Sequence, residues 1–178
     1  MSTQIIITGP PGSGKSSLIR ALKLAGHVVL PEIAREVIKA EEKSGRGLFP
    51  WSHLMEFSDI VFREFMGRKK DFGKPLVFTD RGIPDTLSYM LLGGLQYPQE
   101  YLDELANYPY HKVVFYAPFW GDIYRVDAVR KETVEEAKAV GKAIEQCYTD
   151  LGFTLYQLPL GTVAERVRYV EDYIKYHF

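Results

Sequence analysis

A run of eight residues close to the N-terminus has the residue types and spacing needed to bind phosphate. Residues 9–16 read GPPGSGKS and fit the pattern G-x-x-x-x-G-K-[ST]. An apolar run precedes the loop and a helical pattern follows it, which is the context that the motif requires. Glycines let backbone N–H groups turn toward phosphate oxygens, and the next helix N-terminus adds positive potential. The sequence therefore predicts a nucleoside triphosphate site rather than the alternative, a turn rich in Gly and Pro.

Individual residues of this loop have predictable roles. Lys15 can bridge β- and γ-phosphate oxygens, and the Ser16 hydroxyl can hold Mg²⁺. ATP and Mg²⁺ are therefore the expected cofactors. The predicted nucleotide contacts in this part of the chain are Gly9, Gly12, Ser13, Gly14, Lys15, Ser16 and Ser17.

A carboxylate for the metal site is expected at the end of a neighbouring strand. The apolar run 75–79 is followed by Asp80 and Arg81. Ligands of parallel sheets bind at the carboxyl ends of the strands, so Asp80 is predicted to bind the metal or to meet the attacking hydroxyl. Arg81 emerges at the same edge and is predicted to bind a substrate anion or phosphate. The alternatives are a helix N-cap for Asp80 and a surface charge for Arg81.

A second acid and a second arginine open the helix that follows strand two. Glu32 and Arg35 are three residues apart and share one helix face. Both are predicted to bind the substrate, with Glu32 accepting a proton from its hydroxyl or orienting that hydroxyl. Whether Glu32 or Asp80 is the base stays open at this point. The alternative is that Glu32 complements the helix dipole beside a solvated face formed by Arg35, Glu36 and Lys39.

An aromatic, irregular segment over residues 117–133 interrupts the pattern of strands and helices. We expect it to be a lid, because phosphoryl transfer needs charge neutralised and water excluded. Arg130 is predicted to act in catalysis and Arg125 to contact the nucleotide. The alternative is an exposed loop whose arginines pair with Asp122 and Asp127.

Regular elements must position these residues, and their pattern predicts the fold class. Apolar runs predict strands over 5–8, 28–30, 75–79, 113–116 and 153–158. Helical periods and caps predict helices over 16–24, 31–43, 52–68, 85–92, 98–106, 133–151 and 162–176. This alternation favours an α/β, three-layer fold, with a five-stranded parallel sheet covered by helices on both faces. We expect one domain over 1–178.

Composition excludes several classes of protein. The chain has 178 residues, 22 basic and 23 acidic, for a net charge of −1. That near-neutral charge makes nucleic acid an unlikely partner. One cysteine, Cys147, permits neither an internal disulfide nor a cysteine zinc cluster. No apolar stretch reaches the roughly 18 residues of a membrane span, so we expect a soluble, cytoplasmic protein. Oligomeric state is not predicted.

Missing motifs narrow the class of phosphate-loop protein. A switch GTPase would carry an Asn-Lys-x-Asp or Thr-Lys-x-Asp sequence, and the single asparagine, Asn107, precedes Tyr108. No aspartate is followed three residues later by glycine, as a switch of that type requires. A ring-forming ATPase needs a longer chain with a helical second domain. A small kinase fits the length, the Asp80-Arg81 pair and the lid.

Several segments together resemble a known family. The segments ITGPPGSGKS (7–16), PEIARE (31–36) and TDRGIPD (79–85) are similar to those of small AAA-domain proteins related to the ribosylnicotinamide kinase domain. The segments WGDIYxxDxxR (120–130), YxxLG (148–152) and LP (158–159) extend the resemblance over nearly the whole chain. It implies a P-loop kinase-like fold with ATP, Mg²⁺ and a closing lid. It also implies that Gly14, Lys15 and Ser16 contact the nucleotide and metal, that Asp80 is an acid at the metal or the attacking hydroxyl, that Glu32 and Arg35 lie near the acceptor, and that Arg130 is the lid arginine. Taken with the reading of the residues, the predicted catalytic residues are Lys15, Glu32, Asp80 and Arg130.

The leading hypothesis is an ATP- and Mg²⁺-dependent phosphotransferase acting on a hydroxyl of a small molecule, with nucleosides and ribosides as candidates. Phe49, Trp51 and Tyr89 can stack on a ring, although core positions are the stronger expectation for all three. A rival hypothesis is an NTP-binding regulator or slow ATPase acting through a protein or lipid partner. A closed cluster of ion pairs at Glu32, Arg35, Asp80 and Arg81 would favour that rival. A nucleic-acid end kinase would need a basic patch, for which the candidates are Arg63, Arg68, Lys69 and Lys70.

Overall fold

The computed structural model describes residues 2–69, 72–123 and 133–178. The strands are β1 (Thr3–Thr8), β2 (Val29–Leu30), β3 (Leu76–Asp80), β4 (Val113–Tyr116) and β5 (Thr154–Gln157). The helices are α1 (Lys15–Leu24), α2 (Ile33–Ser44), α3 (Leu54–Gly67), α4 (Ile83–Leu92), α5 (Gln99–Ala106), α6 (Val134–Asp150) and α7 (Val163–His177). A short 3₁₀ helix covers Gly121–Ile123.

The five strands form one parallel sheet in the order β2-β3-β1-β4-β5. In this register Ile7 of β1 lies beside Asp80 on one side and beside Phe115 on the other. The carboxyl ends of β1, β3 and β4 therefore meet at one edge of the sheet. Strands β3 and β2 lie on one side of β1, and β4 and β5 lie on the other, so the strand order runs outward in opposite directions from β1. In parallel sheets such a reversal of strand order leaves a crevice for ligands at the carboxyl ends of the strands.

Alternating side chains of the strands build two separate cores. Ile5 and Ile7 of β1 pack with α1 and α7 on one face of the sheet, together with Phe115. Ile6 and Val114 face the other side, where α2 to α6 cover the sheet. The predicted three-layer fold with a five-stranded parallel sheet is thus confirmed.

Element boundaries differ from the predicted ones where local chemistry acts. Helix α4 begins at Ile83 rather than at residue 85, because Pro84 fits the first turn and Asp85 accepts from the Gly82 N–H at 2.9 Å. Strand β2 has only two residues. The predicted cap of α6 is confirmed, since Glu136 N donates to Thr133 Oγ1 at 3.1 Å. Among the described residues, no helix has the length and apolarity needed to cross a membrane.

Candidate active site

The loop between β1 and α1 closes tightly against the start of the segment after β4. Gly9 has φ 144°, and a Cβ atom there would lie 2.1 Å from the Ala117 carbonyl oxygen. Gly14, with φ 76°, is the N-cap of α1, and no side chain of the described residues caps that helix. The first turn of α1 contains no acidic residue. Its N–H groups and positive end are therefore available to an anion.

Lys15 is the first residue of α1 and is buried, with only 8% of its surface exposed. Burial, and secondarily the charge of Arg81, lowers the pKa of Lys15 from 10.5 to about 8. The carboxylates of Asp80, Glu32 and Asp85 raise the pKa of Lys15, but not enough to restore its ordinary value. Lys15 thus points its ammonium into a desolvated site shared with acids from β3 and α2.

Asp80 ends β3 and is 9% exposed. Its Oδ1 atom is buried and has no hydrogen-bond partner among the described residues. Burial raises the pKa of Asp80, although the Lys15 charge opposes that shift. The alternative N-cap role is wrong, because Gly82 occupies the N-cap of α4. A hard cation fits this site, since its charge would compensate a desolvated carboxylate oxygen that no described residue satisfies.

Arg81 lies between two carboxylates. Its Nε atom donates to Glu32 Oε1 at 3.0 Å, and its Nη1 atom donates to Asp85 Oδ1 at 2.9 Å. Burial works against the Arg81 charge, but Tyr89 and these carboxylates outweigh it and raise the pKa of Arg81. The predicted alternative of a simple surface charge is wrong, because the Arg81 side chain is only 11% exposed and pairs with two carboxylates.

The backbone of Arg81 is also unusual. It has φ 68°, the only positive φ outside glycine among the described residues. Its N–H donates to the Ile7 carbonyl at 3.0 Å, and its own carbonyl accepts from Thr79 Oγ1 at 2.9 Å. A non-glycine residue held in this region costs about 1–3 kcal/mol, which surrounding contacts must offset. This cost is consistent with a backbone conformation that directs the Arg81 side chain toward Glu32 and Asp85.

Glu32 is the N-cap residue of α2 but makes no capping hydrogen bond with its side chain. Instead, Oε1 accepts from Arg81, and Oε2 lies 3.4 Å from Arg35 Nη2. Burial would raise the pKa of Glu32, but the charges of Arg81, Lys15 and Arg35 together lower it. Glu32 is thus ionised at neutral pH. Arg35 is 62% exposed, so its ion pair is screened by water and weak.

Asp85 is a buried member of this site whose role was not predicted from the sequence. Its Oδ1 accepts from Thr8 Oγ1 and Arg81 Nη1, while Oδ2 accepts from Gly82 N and Tyr148 Oη. It therefore joins the end of β1 to Arg81 and α6. The available signal was the Pro84-Asp85 pair after Arg81, because an acid four residues beyond an arginine at a helix start lies within reach of it.

The remaining predicted residues lie in the phosphate loop, in the segment after β4 and near Trp51. Ser13 is buried, and its Oγ atom has no partner among the described residues, whereas Ser16 and Ser17 are exposed on α1. Arg125, Arg130 and most of the predicted lid lie outside the described residues. Trp51 is 70% exposed and stacks on Phe49 at 4.8 Å, so the expected core position is wrong for Trp51.

A phosphate loop leading into a buried lysine, with an acid at the end of the adjacent parallel strand, defines a P-loop protein of the kinase-like fold. A family model described as "AAA domain" matches residues 4–166, and the chain belongs to that family. The predicted membership of a small AAA-domain family is therefore confirmed. A comparison with curated protein sequences finds no significant match.

Solved structures with the same fold include three small kinases. A deoxyadenosine kinase from M. mycoides with products dCMP and dCDP superimposes with a TM-score of 0.66 at 14% identity, covering 99% of this chain and 100% of its own. A thymidylate kinase from Ehrlichia chaffeensis gives 0.62 at 18% identity, with 98% of each chain covered. A shikimate kinase from Acinetobacter baumannii gives 0.54 at 18% identity, covering 99% and 95%. At such identities the similarity shows the fold.

Proposed function

We propose that this protein transfers the γ-phosphoryl group of ATP, with Mg²⁺, to a hydroxyl of a small molecule, with nucleosides and ribosides as the first candidates. The observation that carries the proposal is the meeting of three groups at one sheet edge. These are the buried ammonium of Lys15, the unsatisfied Oδ1 of Asp80 and the ionised carboxylate of Glu32. In-line phosphoryl transfer needs a cation at the phosphates, a metal ligand and a group that orients the attacking hydroxyl.

Ser16 and Asp80 are the residues that would hold Mg²⁺. The exposed hydroxyl of Ser16 lies in the first turn of α1, and Asp80 ends the adjacent strand. When bound, the metal supplies charge neutralisation at the transferring phosphate oxygens. Lys15 and the α1 N-terminus bind and orient the same phosphates. Arg130 and Arg125, outside the described residues, remain predicted for catalysis and for nucleotide contact.

Glu32 is the better candidate for the group that receives or orients the acceptor hydroxyl. Its Oε1 is fixed by Arg81, whereas the one partner of Oε2 among the described residues is the exposed Arg35 at 3.4 Å. An acceptor hydroxyl can therefore donate to Oε2 after displacing one weak ion pair. Arg81 fixes the orientation of Glu32, and its placement suits an anionic or hydroxyl group of the acceptor. Asp80 is left to the metal, so the two carboxylates divide the two roles.

A regulator or slow ATPase acting through a partner is the second candidate function. One observation favours it, namely that Glu32, Arg35 and Arg81 are joined by ion pairs, although Asp80 Oδ1 has no hydrogen-bond partner among the described residues. We nevertheless prefer the kinase, because the outermost of these pairs is exposed and costs little to break. Nucleic-acid end phosphorylation has less support, since Arg68 pairs with Glu36 and Lys69 pairs with Glu104. Lys70 of that patch lies outside the described residues.

The kinase proposal is tested by incubating the protein with γ-labelled ATP, Mg²⁺ and a panel of nucleosides, ribosides and other hydroxyl metabolites. We expect a phosphorylated acceptor with the wild type. The Glu32→Gln variant should lose about a hundredfold or more in turnover, since the amide cannot take a proton, while its ATP affinity stays nearly unchanged. The Glu42→Gln variant, changed at an exposed position of the same helix, is the matched control. ATP binding with no acceptor labelled anywhere in the panel would refute the kinase.

The low pKa of Lys15 predicts how ATP affinity depends on pH. In the free protein the ammonium loses its proton around pH 8, because burial lowers its pKa from 10.5 to about 8. Only the protonated form attracts the triphosphate, so affinity should be constant below that pH. Above it, affinity should fall by up to about tenfold per pH unit.

Titration calorimetry in two buffers of different ionisation enthalpy checks this prediction. ATP binding should take up a proton above about pH 8 and none near neutrality. A Lys15→Met variant, which keeps the apolar stem, should lose the pH dependence along with most of the affinity. An affinity that stays level from about pH 7 to 9.5 would contradict the assigned role of Lys15.

A further inference from the structure

Arg166 is a fully buried arginine on α7 that the proposed reaction does not use. Only 2% of it is exposed. Its Nη1 atom donates to the Ser13 carbonyl oxygen at 2.6 Å, and its Nε atom donates to the Pro159 carbonyl oxygen at 2.9 Å. Its guanidinium lies over the Trp120 ring, 5.1 Å from the centroid. One side chain thus touches the phosphate loop, the loop after β5 and the start of the segment after β4.

The charge of Arg166 is not compensated within the described part of the chain. Its contacts there are two carbonyl oxygens and a ring, and none of the ion pairs found among the described residues includes it. Its Nη2 atom is buried without an acceptor in that same part of the chain. Burial accordingly lowers the pKa of Arg166. A buried guanidinium with an unused donor is costly for folding alone, which points to a ligand that supplies an acceptor.

The position of Arg166 identifies which part of a nucleotide it faces. The acids and the arginine that act on Lys15 come from the β2 and β3 side of β1. Trp120 and Pro159 follow β4 and β5, on the opposite side of β1. A triphosphate lying over the phosphate loop with its γ end near Asp80 therefore directs its nucleoside end toward Trp120 and Arg166.

We propose that Arg166 and Trp120 contact the nucleoside part of the bound nucleotide. The Nη2 donor of Arg166 takes an acceptor atom of the base or ribose, and the planar indole of Trp120 offers a stacking surface to the base. This inference rests on the proposed nucleotide site and adds to it two residues from α7 and from the segment after β4. The competing explanation is structural, in which Arg166 only ties the phosphate loop to the loop after β5.

A ligand without a nucleoside separates the two explanations. Wild type, Arg166→Gln and Trp120→Leu are titrated with ATP and with inorganic tripolyphosphate, both in the presence of Mg²⁺. We expect the two variants to bind ATP about tenfold or more weakly, because a hydrogen bond to a charged donor or a stacking contact is lost. Their affinity for tripolyphosphate should stay within about twofold of wild type, since the phosphates meet other groups. Arg168→Gln, changed at an exposed position of the same helix, is the matched control.

Each alternative outcome has a defined meaning. Equal weakening of ATP and tripolyphosphate in Arg166→Gln would overturn the proposal, because a displaced phosphate loop affects both ligands. Unchanged affinity for both would overturn it as well. Circular dichroism checks folding, and Trp120→Leu carries the test if Arg166→Gln does not fold. Wild-type binding of both ligands, abolished by Lys15→Ala, shows that the nucleotide site itself stands whatever the Arg166 variants do.

Discussion

Replacing Lys15 with alanine is expected to lower the affinity for ATP by roughly thirtyfold to several thousandfold. The side chain is buried beside Asp80, Glu32 and Arg81, so its charge acts on the phosphates with little screening by water. Removing one member of a buried charge pair typically costs about 2–5 kcal/mol of binding free energy. This is the largest effect on ligand binding that the site predicts.

The same substitution should leave the fold intact. Burial disfavours the charged form of Lys15, as its lowered pKa shows, so the free protein gains nothing from holding that ammonium in place. The midpoint of thermal unfolding in the absence of ATP is therefore expected to be unchanged or higher. Lys23→Ala, an exposed lysine in the last turn of α1, is the control for both measurements. Full ATP affinity in Lys15→Ala, measured by calorimetry, would contradict the proposed nucleotide site.

Replacing Asp85 with asparagine is expected to produce the largest loss of stability, about 3–5 kcal/mol in the free energy of unfolding. Asp85 is the buried partner of Arg81 and also accepts from Thr8, Gly82 and Tyr148. The amide removes the counter-charge and replaces an acceptor with a donor, which leaves a buried cation and buried donors unsatisfied. Tyr148→Phe, which removes one of these donors, should cost only about 1 kcal/mol.

Asp80→Asn is the informative contrast to Asp85→Asn. Burial raises the pKa of Asp80, so the folded protein holds its ionised form less favourably than the unfolded chain does. The contribution of Asp80 to the free energy of unfolding therefore rises as pH falls. The neutral amide of asparagine should accordingly leave the protein equally stable or more stable. Phosphoryl transfer should nevertheless drop by about a hundredfold or more, because the metal loses its carboxylate. Urea unfolding measures the predicted change in stability, and a transfer assay measures the predicted loss of activity. A strongly destabilised Asp80→Asn variant would contradict the metal assignment.

The sequence predicted the fold and the phosphate loop because both depend on local patterns. Residues 9–16 are contiguous, and the apolar run before Asp80 places that acid at a strand end without knowledge of any long-range contact. Glu32 could be anticipated for the same reason, since it opens the helix after β2. Parallel strands bring their carboxyl ends together, so short-range signals sufficed to assemble these residues at one edge.

The contacts that hold the site residues in place depend on how elements distant in sequence pack, so no local sequence pattern predicts them. Asp85 meets Thr8 across 77 positions of sequence and Tyr148 across 63. Arg166 meets Ser13 across 153 positions, and nothing in the apolar stripe of α7 distinguishes it from an exposed arginine. The ion pair between Arg81 and Glu32 likewise depends on β2 lying beside β3. Register and helix packing therefore decide which charges are paired and which are left for a ligand.

The most direct test of the proposed function follows the γ-phosphoryl group of ATP. The protein is incubated with Mg²⁺, γ-labelled ATP and a small-molecule fraction of a cell extract. The labelled products are separated by chromatography and identified by mass spectrometry. We expect the label to appear in a phosphate monoester, and both Lys15→Ala and Glu32→Gln to prevent this. Label recovered only as inorganic phosphate, at a rate unaffected by the extract and by Glu32→Gln, would contradict the proposed function and identify the protein as an ATPase.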